Sequence, residues 1–375
     1  MASPDLLIVG GGITGLCAAI TAAEAGAQAI VVDAGLNAGS NANAGSLHVQ
    51  LQSRFIRLYP EQAPNVEASL PLYLQSVREW ERLDALHGPF ELVRKGGLML
   101  AEGEDQLRFL EHKAAREAAR GLDVEILDRT ALDRIAPWLG PQIVGAELCR
   151  DEGKLNPLVA NARLRAHAVA LGVQFVTDRI VALDHDTPCR ATVAGGASHS
   201  ARQIILATAW GTGSLLGRFG LHLPSRAEPL HMNITEAGAG QINHLIQHAE
   251  RSITLKQFES GQIVIGGGWP AQDRGEAAVP GVLAVSMLGN VALAARLVPA
   301  IAGLRVVRTW AGMNTTVDGK TILGRVPRAP DLILAVPGDA GYTLGPLCGR
   351  TAAQLALGLP QATDIVPYDP VRFSA

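Results

Sequence analysis

Cysteine is scarce in this sequence, and so is charge of either sign in excess. The 375 residues contain four cysteines, Cys17, Cys149, Cys189 and Cys348, far apart and without a CxxC pair. That spacing argues against a zinc site or an iron–sulfur cluster held by cysteines of this chain, so no metal site is expected. It also fits a reducing compartment. The net charge of -3 gives no case for nucleic acid or an anionic membrane surface as a partner. No apolar run is long enough to cross a bilayer. The chain runs almost at once into Leu6-Leu7-Ile8-Val9, with no basic n-region or cleavage site before it. The segment reads as a strand, and a cytoplasmic protein is the default expectation. No internal repeat or low-complexity segment is evident.

Hydrophobic residues and glycine are plentiful. Nearly half of the chain is hydrophobic, enough for a large globular core and more than one domain. The first 33 residues read as one β-α-β unit. A buried strand, Leu6 to Val9, leads into an Ala-rich helix, Ile13 to Gly26, and a second strand, Ala29 to Val32, ends in Asp33. Further helices are predicted at 66–86, 105–119, 157–171, 277–297 and 344–357. Buried strands are predicted at 204–207 and 332–336, and residues 229–268 are strand-rich. Buried β-α elements thus sit at both ends and in the middle, which suggests two interleaved domains.

Gly10-x-Gly12-x-x-Gly15 lies between the predicted strand and helix. Gly10 permits a tight turn, Gly12 lets backbone approach a pyrophosphate, and Gly15 allows close helix–strand packing. Unpaired N–H groups at the helix N-terminus favour an anion there. Asp33 follows Gly15 by 18 residues, where a carboxylate accepts from ribose hydroxyls. The combination points to dinucleotide binding; a ligand-free glycine turn is the bland alternative. NAD and FAD are not distinguished by this motif.

The rest of the chain resembles the FAD-dependent D-amino-acid oxidase superfamily. The resemblance is carried by the fingerprint, by Asn41-Ala42-Asn43-Ala44-Gly45-Ser46, by Asp151 to Pro157 and by Ala207-Thr208-Ala209-Trp210. It continues through Ile263 to Gly267, Trp310-Ala311-Gly312, Thr316 to Gly319 and Gly338 to Pro346. Within it, Asn43 to Phe55 and Ala146 to Pro157 resemble the B subunits of opine (octopine or nopaline) oxidases. The fold this implies is α/β: a Rossmann-type FAD domain of residues 1–45, 154–212 and 315–375, interleaved with a mixed-sheet α+β substrate domain of 46–153 and 213–314, as in glycine and sarcosine oxidases.

The resemblance implies FAD contacts from Gly10, Gly12, Ile13, Thr14 and Gly15, from Asp33 and Ala34, and from Ser40, Asn41, Asn43, Ala44, Gly45, Ser46 and Leu47. Val181, Ala207, Thr208, Ala209, Trp210 and Gly312 join them, with Gly338, Asp339, Gly341, Tyr342, Thr343 and Leu344. The 338–345 segment and the following helix would stabilise negative charge on the flavin. An NAD-dependent dehydrogenase would leave that segment without a role. No cysteine lies in 310–319, so the FAD is expected to be non-covalent.

The activity implied is hydride transfer to FAD from the carbon bearing an amine, giving an imine that water cleaves to an amino acid and a 2-oxo acid. Two substrate carboxylates call for cationic clamps. Many relatives carry arginine where this chain has Asn314, so Arg54, Arg57, Lys256 and Lys320 are the substitutes considered. Tyr342 is a candidate for orienting a carboxylate, and His48 and His231 are candidate bases; each has a structural reading beside it. Asp339 stands where relatives often carry histidine. Opine enzymes imply partner subunits, one binding flavin or nucleotide and one bearing a 2Fe-2S cluster, with FMN at an interface. A stand-alone glycine, sarcosine or D-amino-acid oxidase and a non-catalytic FAD-bearing scaffold are the alternatives.

Overall fold

The computed structural model describes residues 4–36, 39–185 and 188–374, apart from the side chain of Arg54. Its first sheet has six strands in the order Ile322–Val326, Ala329–Val336, Gln203–Leu206, Leu6–Val9, Ala29–Asp33 and Gln174–Thr177. All neighbours are parallel except the first pair. Leu6–Val9 lies inside this sheet and is buried on both faces, as its unbroken apolar run predicts. Leu6 and Ile8 meet the helices Ile13–Glu24, Ala63–His87 and Gly341–Leu357; Leu7 and Val9 meet a three-stranded antiparallel layer, Ile180 to Ala201.

The second sheet has eight strands. Their order is Val306–Thr316, Arg226–Ala237, Gln262–Gly266, Thr254–Gln257, Leu245–His248, Gly97–Ala101, Gly145–Cys149 and Val124–Asp128. Strand alternation splits its two faces. Leu98, Leu100, Ile246, Leu255 and Ile265 pack under the helices Arg129–Ile135 and Ala284–Leu297. Met99, Glu147, Gln247 and Lys256 alternate with them and are also buried. The fold is therefore the α/β arrangement with a mixed second sheet that the sequence led us to expect.

Several elements differ from the sequence reading, and the helix expected over 277–297 begins only at Ala284. The strands Val124–Asp128 and Gly145–Cys149 were not anticipated. The closing helix begins at Gly341, three residues earlier than predicted, and contains Pro346. Proline cannot bond the carbonyl four residues back. Here that carbonyl, Tyr342 O, accepts from Trp80 Nε1 at 3.1 Å, so nothing is left unpaired. Only 338–340 remain as loop.

The first and last helices cross through glycine. A Cβ at Gly349 would stand 2.1 Å from Thr14 O, and one at Gly345 2.6 Å from Ile13 Cγ2. Gly349→Ala should force the helices apart and cost about 1–3 kcal/mol of stability, measured by urea denaturation. An unchanged midpoint would contradict this close crossing.

Candidate active site

The glycine loop is shaped by close backbone approach. Gly10 has φ +103°, and a Cβ there would lie 2.4 Å from Ala207 O. Gly15 presses on Gly10 O, which a Cβ would meet at 1.9 Å. Asp33 ties the loop to the second strand: its carboxylate accepts from Gly11 N at 2.6 Å and from Gly35 N at 2.8 Å. Ser40 Oγ accepts from Ile13 N at 2.9 Å, which caps the helix start from the next loop. Trp310 Nε1 donates to Ala42 O at 2.8 Å and anchors that loop to the second sheet.

From this loop a cavity of about 980 Å³ runs to the second sheet. It lies at the upper end of the range for small-molecule sites. Its walls include Gly10, Gly12, Ile13, Thr14, Asp33, Ala34, Ser40, Asn41, Asn43, Ala44 and Ser46, then Ala207 to Trp210, Gly338, Asp339 and Gly341 to Thr343. At the far end stand His48, Gln50, Gln247, Arg251, His231, Met313 and Asn314. The glycine cradle, the helix N-terminus and the strand-end carboxylate all open on one elongated space. That donor and acceptor set fits an adenine dinucleotide, with room left for a substrate beyond it.

Six of the expected contacts do not line the cavity. Gly15 and Gly45 act behind it: Gly45, at φ +80°, approaches Leu155 O. Leu47 and Leu344 are buried in the apolar core. Gly312 is a strand residue opposite Leu230. Val181 points outward and is 50% exposed, while its strand neighbour Ile180 takes the wall position. In a strand the choice of face turns on a single residue, which the sequence does not mark.

A buried polar network sets the far end. Glu152 is inaccessible to solvent and accepts from Val49 N at 2.9 Å, Gln50 N at 3.2 Å, Gln50 Nε2 at 2.8 Å and Gln247 Nε2 at 2.6 Å. His48 Nδ1 stands 3.7 Å from Glu152 Oε1. Lys113 bonds Gln50 Oε1 at 3.1 Å, Glu147 at 2.8 Å and Glu117 at 2.9 Å. Burial pushes the Glu147 carboxyl above its ordinary range, against the pull of Lys113. These contacts fix the segment after the glycine-rich loop in place.

His231 is buried, and burial lowers its pKa. Its Nε2 is 2.9 Å from Asn233 Oδ1, and Asn233 Nδ2 donates on to Asn290 Oδ1 at 3.0 Å. With Asn233 donating away, the shared proton sits on Nε2 of a neutral ring. Nδ1 has no protein partner among the described residues and keeps its lone pair. Lys256 donates to Ser46 Oγ at 2.8 Å. Full burial, reinforced by Lys154, pushes Lys256 down to about 7. It reaches the cavity only through Ser46.

The structure corrects the reading of Tyr342 as a carboxylate holder. Its hydroxyl donates to Asn161 Oδ1 at 2.9 Å and its ring stacks on Trp80, 5.1 Å between centroids. The side chain packs helices together, and its hydroxyl is engaged there. Arg57 lies 3.5 Å over the Phe109 ring, and neither it nor Lys320 lines the cavity. The Arg54 side chain lies outside the described residues. Asn314 is in the wall, and its Nδ2 donates to Glu228 Oε2 at 3.2 Å. Glu228 and Arg251, also in the wall, were not anticipated. The pairing of Glu228 with Asn314 across two distant strands is the signal, and it exists only in the register.

The comparisons with known proteins agree with this geometry. Residues 5–355 match the family model described as FAD dependent oxidoreductase. The B subunit of opine oxidase from Agrobacterium tumefaciens (strain Ach5) is 27% identical over 349 residues, 91% of this chain and 90% of that one. Glycine oxidase of Bacillus licheniformis is 25% identical over 372 residues, 96% of this chain and 95% of that one. The crystal structure of glycine oxidase from Geobacillus kaustophilus superposes with a TM-score of 0.85 at 22% identity, covering 100% of both chains.

Burial, reinforced by Glu228, pushes Asp339 up to about 7 from the ordinary 3.8. The folded chain thus holds a proton that the unfolded chain releases. Its stabilising contribution is complete below about pH 4 and is lost as pH rises through 7. Asp339→Asn should therefore gain stability relative to wild type at pH 8 but not at pH 4. Urea midpoints at the two pH values read the difference, and an equal difference at both would refute the buried-acid assignment.

Proposed function

The chain belongs to the FAD dependent oxidoreductase family, and from that premise we propose that it is the catalytic flavin subunit of an enzyme that oxidises the C–N bond of an opine, an N-carboxyalkyl amino acid. Residues 1–45, 154–212 and 315–375 form its FAD domain in this reading, and 46–153 with 213–314 its substrate domain. The observation that carries the proposal is the cavity wall at Asn314. An amide bonded to Glu228 offers no cation for the carboxylate of a small amino acid. Carboxylate capture falls instead to Arg226, two residues before Glu228 on the same strand, and to Arg251, which stands 3.2 Å from Glu102; both are in the wall. Two wall arginines on different strand segments suit a longer substrate with two carboxylates. The similarity to the opine oxidase B chain along nine-tenths of both sequences supports the same reading.

Bound FAD supplies the two-electron acceptor for the hydride on the carbon bearing the amine. The chain does the rest. His231, bonded to Asn233 behind the wall, adds no charge at the substrate end and so favours the uncharged amine. Lys256, held near neutrality behind Ser46, is a poised proton donor on the flavin side. The Glu152 network keeps His48 at the wall, where it orders the water that cleaves the imine to amino acid and 2-oxo acid. Partner subunits in the cytoplasm would hold the onward electron acceptors, a further flavin, FMN at an interface, and a 2Fe-2S cluster. A stand-alone oxidase of glycine type is the second reading, favoured by the full-length match to glycine oxidases.

Anaerobic addition of octopine, nopaline, glycine, sarcosine and D-alanine to the FAD-loaded protein tests the proposal. Bleaching of the flavin by an opine alone, recovering slowly in air, is expected. Bleaching by a small amino acid with fast recovery and peroxide would establish the second reading instead. In the opine assay Arg251→Met should raise KM about 10–100-fold, the worth of a hydrogen bond to a charged group, with kcat little changed. An unaltered KM would remove Arg251 from the site.

A further inference from the structure

Three helix segments bring a histidine pair and a glutamate together on the side of the molecule away from the cavity. Glu24 ends the helix Ile13–Glu24, His87 ends Ala63–His87, and His167 lies near the end of Pro157–Ala170. His167 Nε2 is 3.4 Å from Glu24 Oε1, and His87 Nε2 is 3.9 Å from the same oxygen. One ligand atom from each of the three lies within 4.8 Å of the others. The imidazole rings face each other at 4.1 Å between centroids. His87 Nε2 is buried and has no hydrogen-bond partner among the described residues.

We propose that Glu24, His87 and His167 form a binding site for one zinc-class divalent cation. Zinc bonds of about 2.0–2.1 Å to nitrogen and oxygen put tetrahedral ligand atoms about 3.4 Å apart. The 3.4 Å and 3.9 Å separations from Glu24 lie close to that spacing, and all three ligand atoms are within 4.8 Å of one another. Two imidazoles and one carboxylate select zinc over magnesium or calcium, which take oxygen ligands. Glu24 is exposed, which leaves the fourth position to water.

The electrostatics agree. Burial first, then the facing His167 and Arg82, lowers the His87 pKa and overcomes the opposing pull of Glu24. Arg82, the nearby cation, is itself bound to Glu79 at 2.7 Å. The bound ion ties three helix ends that otherwise meet through one carboxylate. It lies at the end of the 12-residue helix opposite the glycine loop, about 18 Å away at 1.5 Å per residue. Occupancy is therefore separable from flavin binding.

The test is calorimetric titration of FAD-loaded, chelator-treated protein with zinc chloride at pH 7.5, with thermal denaturation alongside. Wild type should take up one zinc per chain and melt at a higher temperature with it. His87→Gln and His167→Gln should each weaken binding by at least about tenfold, with flavin content unchanged, because each removes one of three protein ligands. Binding should also weaken at pH 5.5, where protons compete for the imidazoles. No stoichiometric uptake by wild type, or equal affinity in the His87→Gln/His167→Gln double variant, would overturn the site.

Discussion

Three stretches of backbone meet almost in van der Waals contact at the C-terminal edge of the six-stranded sheet, and the placement of the cavity follows from that meeting. Gly10 turns against Ala207 O and Gly15 lies on Gly10 O. The first helix then starts so close to its strand that the Asp33 carboxylate reaches Gly11 N. Any side chain at these glycines would push the helix off the sheet and move its N-terminus away from the space it faces. The last helix depends on the same fit, because it crosses the first through Gly345 and Gly349. The N-terminus of that last helix, at Gly341, reaches the same cavity. Two helix N-termini thus border one elongated space, an arrangement suited to a ligand with anionic groups along its length.

The second sheet brings a different kind of constraint. Its cavity-side face carries ionisable groups that strand alternation holds out of water. Beside it, on the short strand Gly153–Lys154 paired with Ser46–Leu47, Lys154 donates to the carbonyls of Ile242 and Gln257, at 2.8 and 2.6 Å, and burial pushes it down to about 8. Lys256 has the Ser46 hydroxyl as its hydrogen-bond partner among the described residues. On the opposite wall, Glu228 and a raised Asp339 stand together. Groups of this kind destabilise a fold unless they act on something. Glu228 and Asp339 line the cavity itself, whereas Lys256 stands behind Ser46 in its wall.

Much of this was legible in the chain itself. The unbroken apolar run before Gly10 and the carboxylate at the end of the second strand required only local pattern, and the first β-α-β unit formed as read. The interleaving of the two sheets was legible too, from buried β-α elements at both ends and the middle. What the sequence hid was tertiary. Tyr342 looked like a loop residue with a free hydroxyl, but Trp80 and Asn161, both far away in sequence, absorb it into helix packing. Val181 and Ile180 differ only in which face they show. Glu228 became meaningful through its register with Asn314, and the Glu24–His87–His167 cluster through the convergence of three helices. The network around Glu152 joins residues 48–53, 113–117, 147–152 and 247, and no local spacing announces it.

The central claim is that the Asp33 carboxylate and the glycine loop hold FAD without a covalent link. The direct measurement is the FAD dissociation constant of wild type and Asp33→Ala, by quenching of flavin fluorescence, with acid precipitation to release the cofactor. Wild type should purify with one FAD per chain, fully released by acid. Asp33→Ala should keep its circular dichroism and bind FAD about 10–100-fold more weakly, as the loss of hydrogen bonds to a charged group requires. Flavin that stays with the acid precipitate, or equal affinity in the variant, would contradict the account.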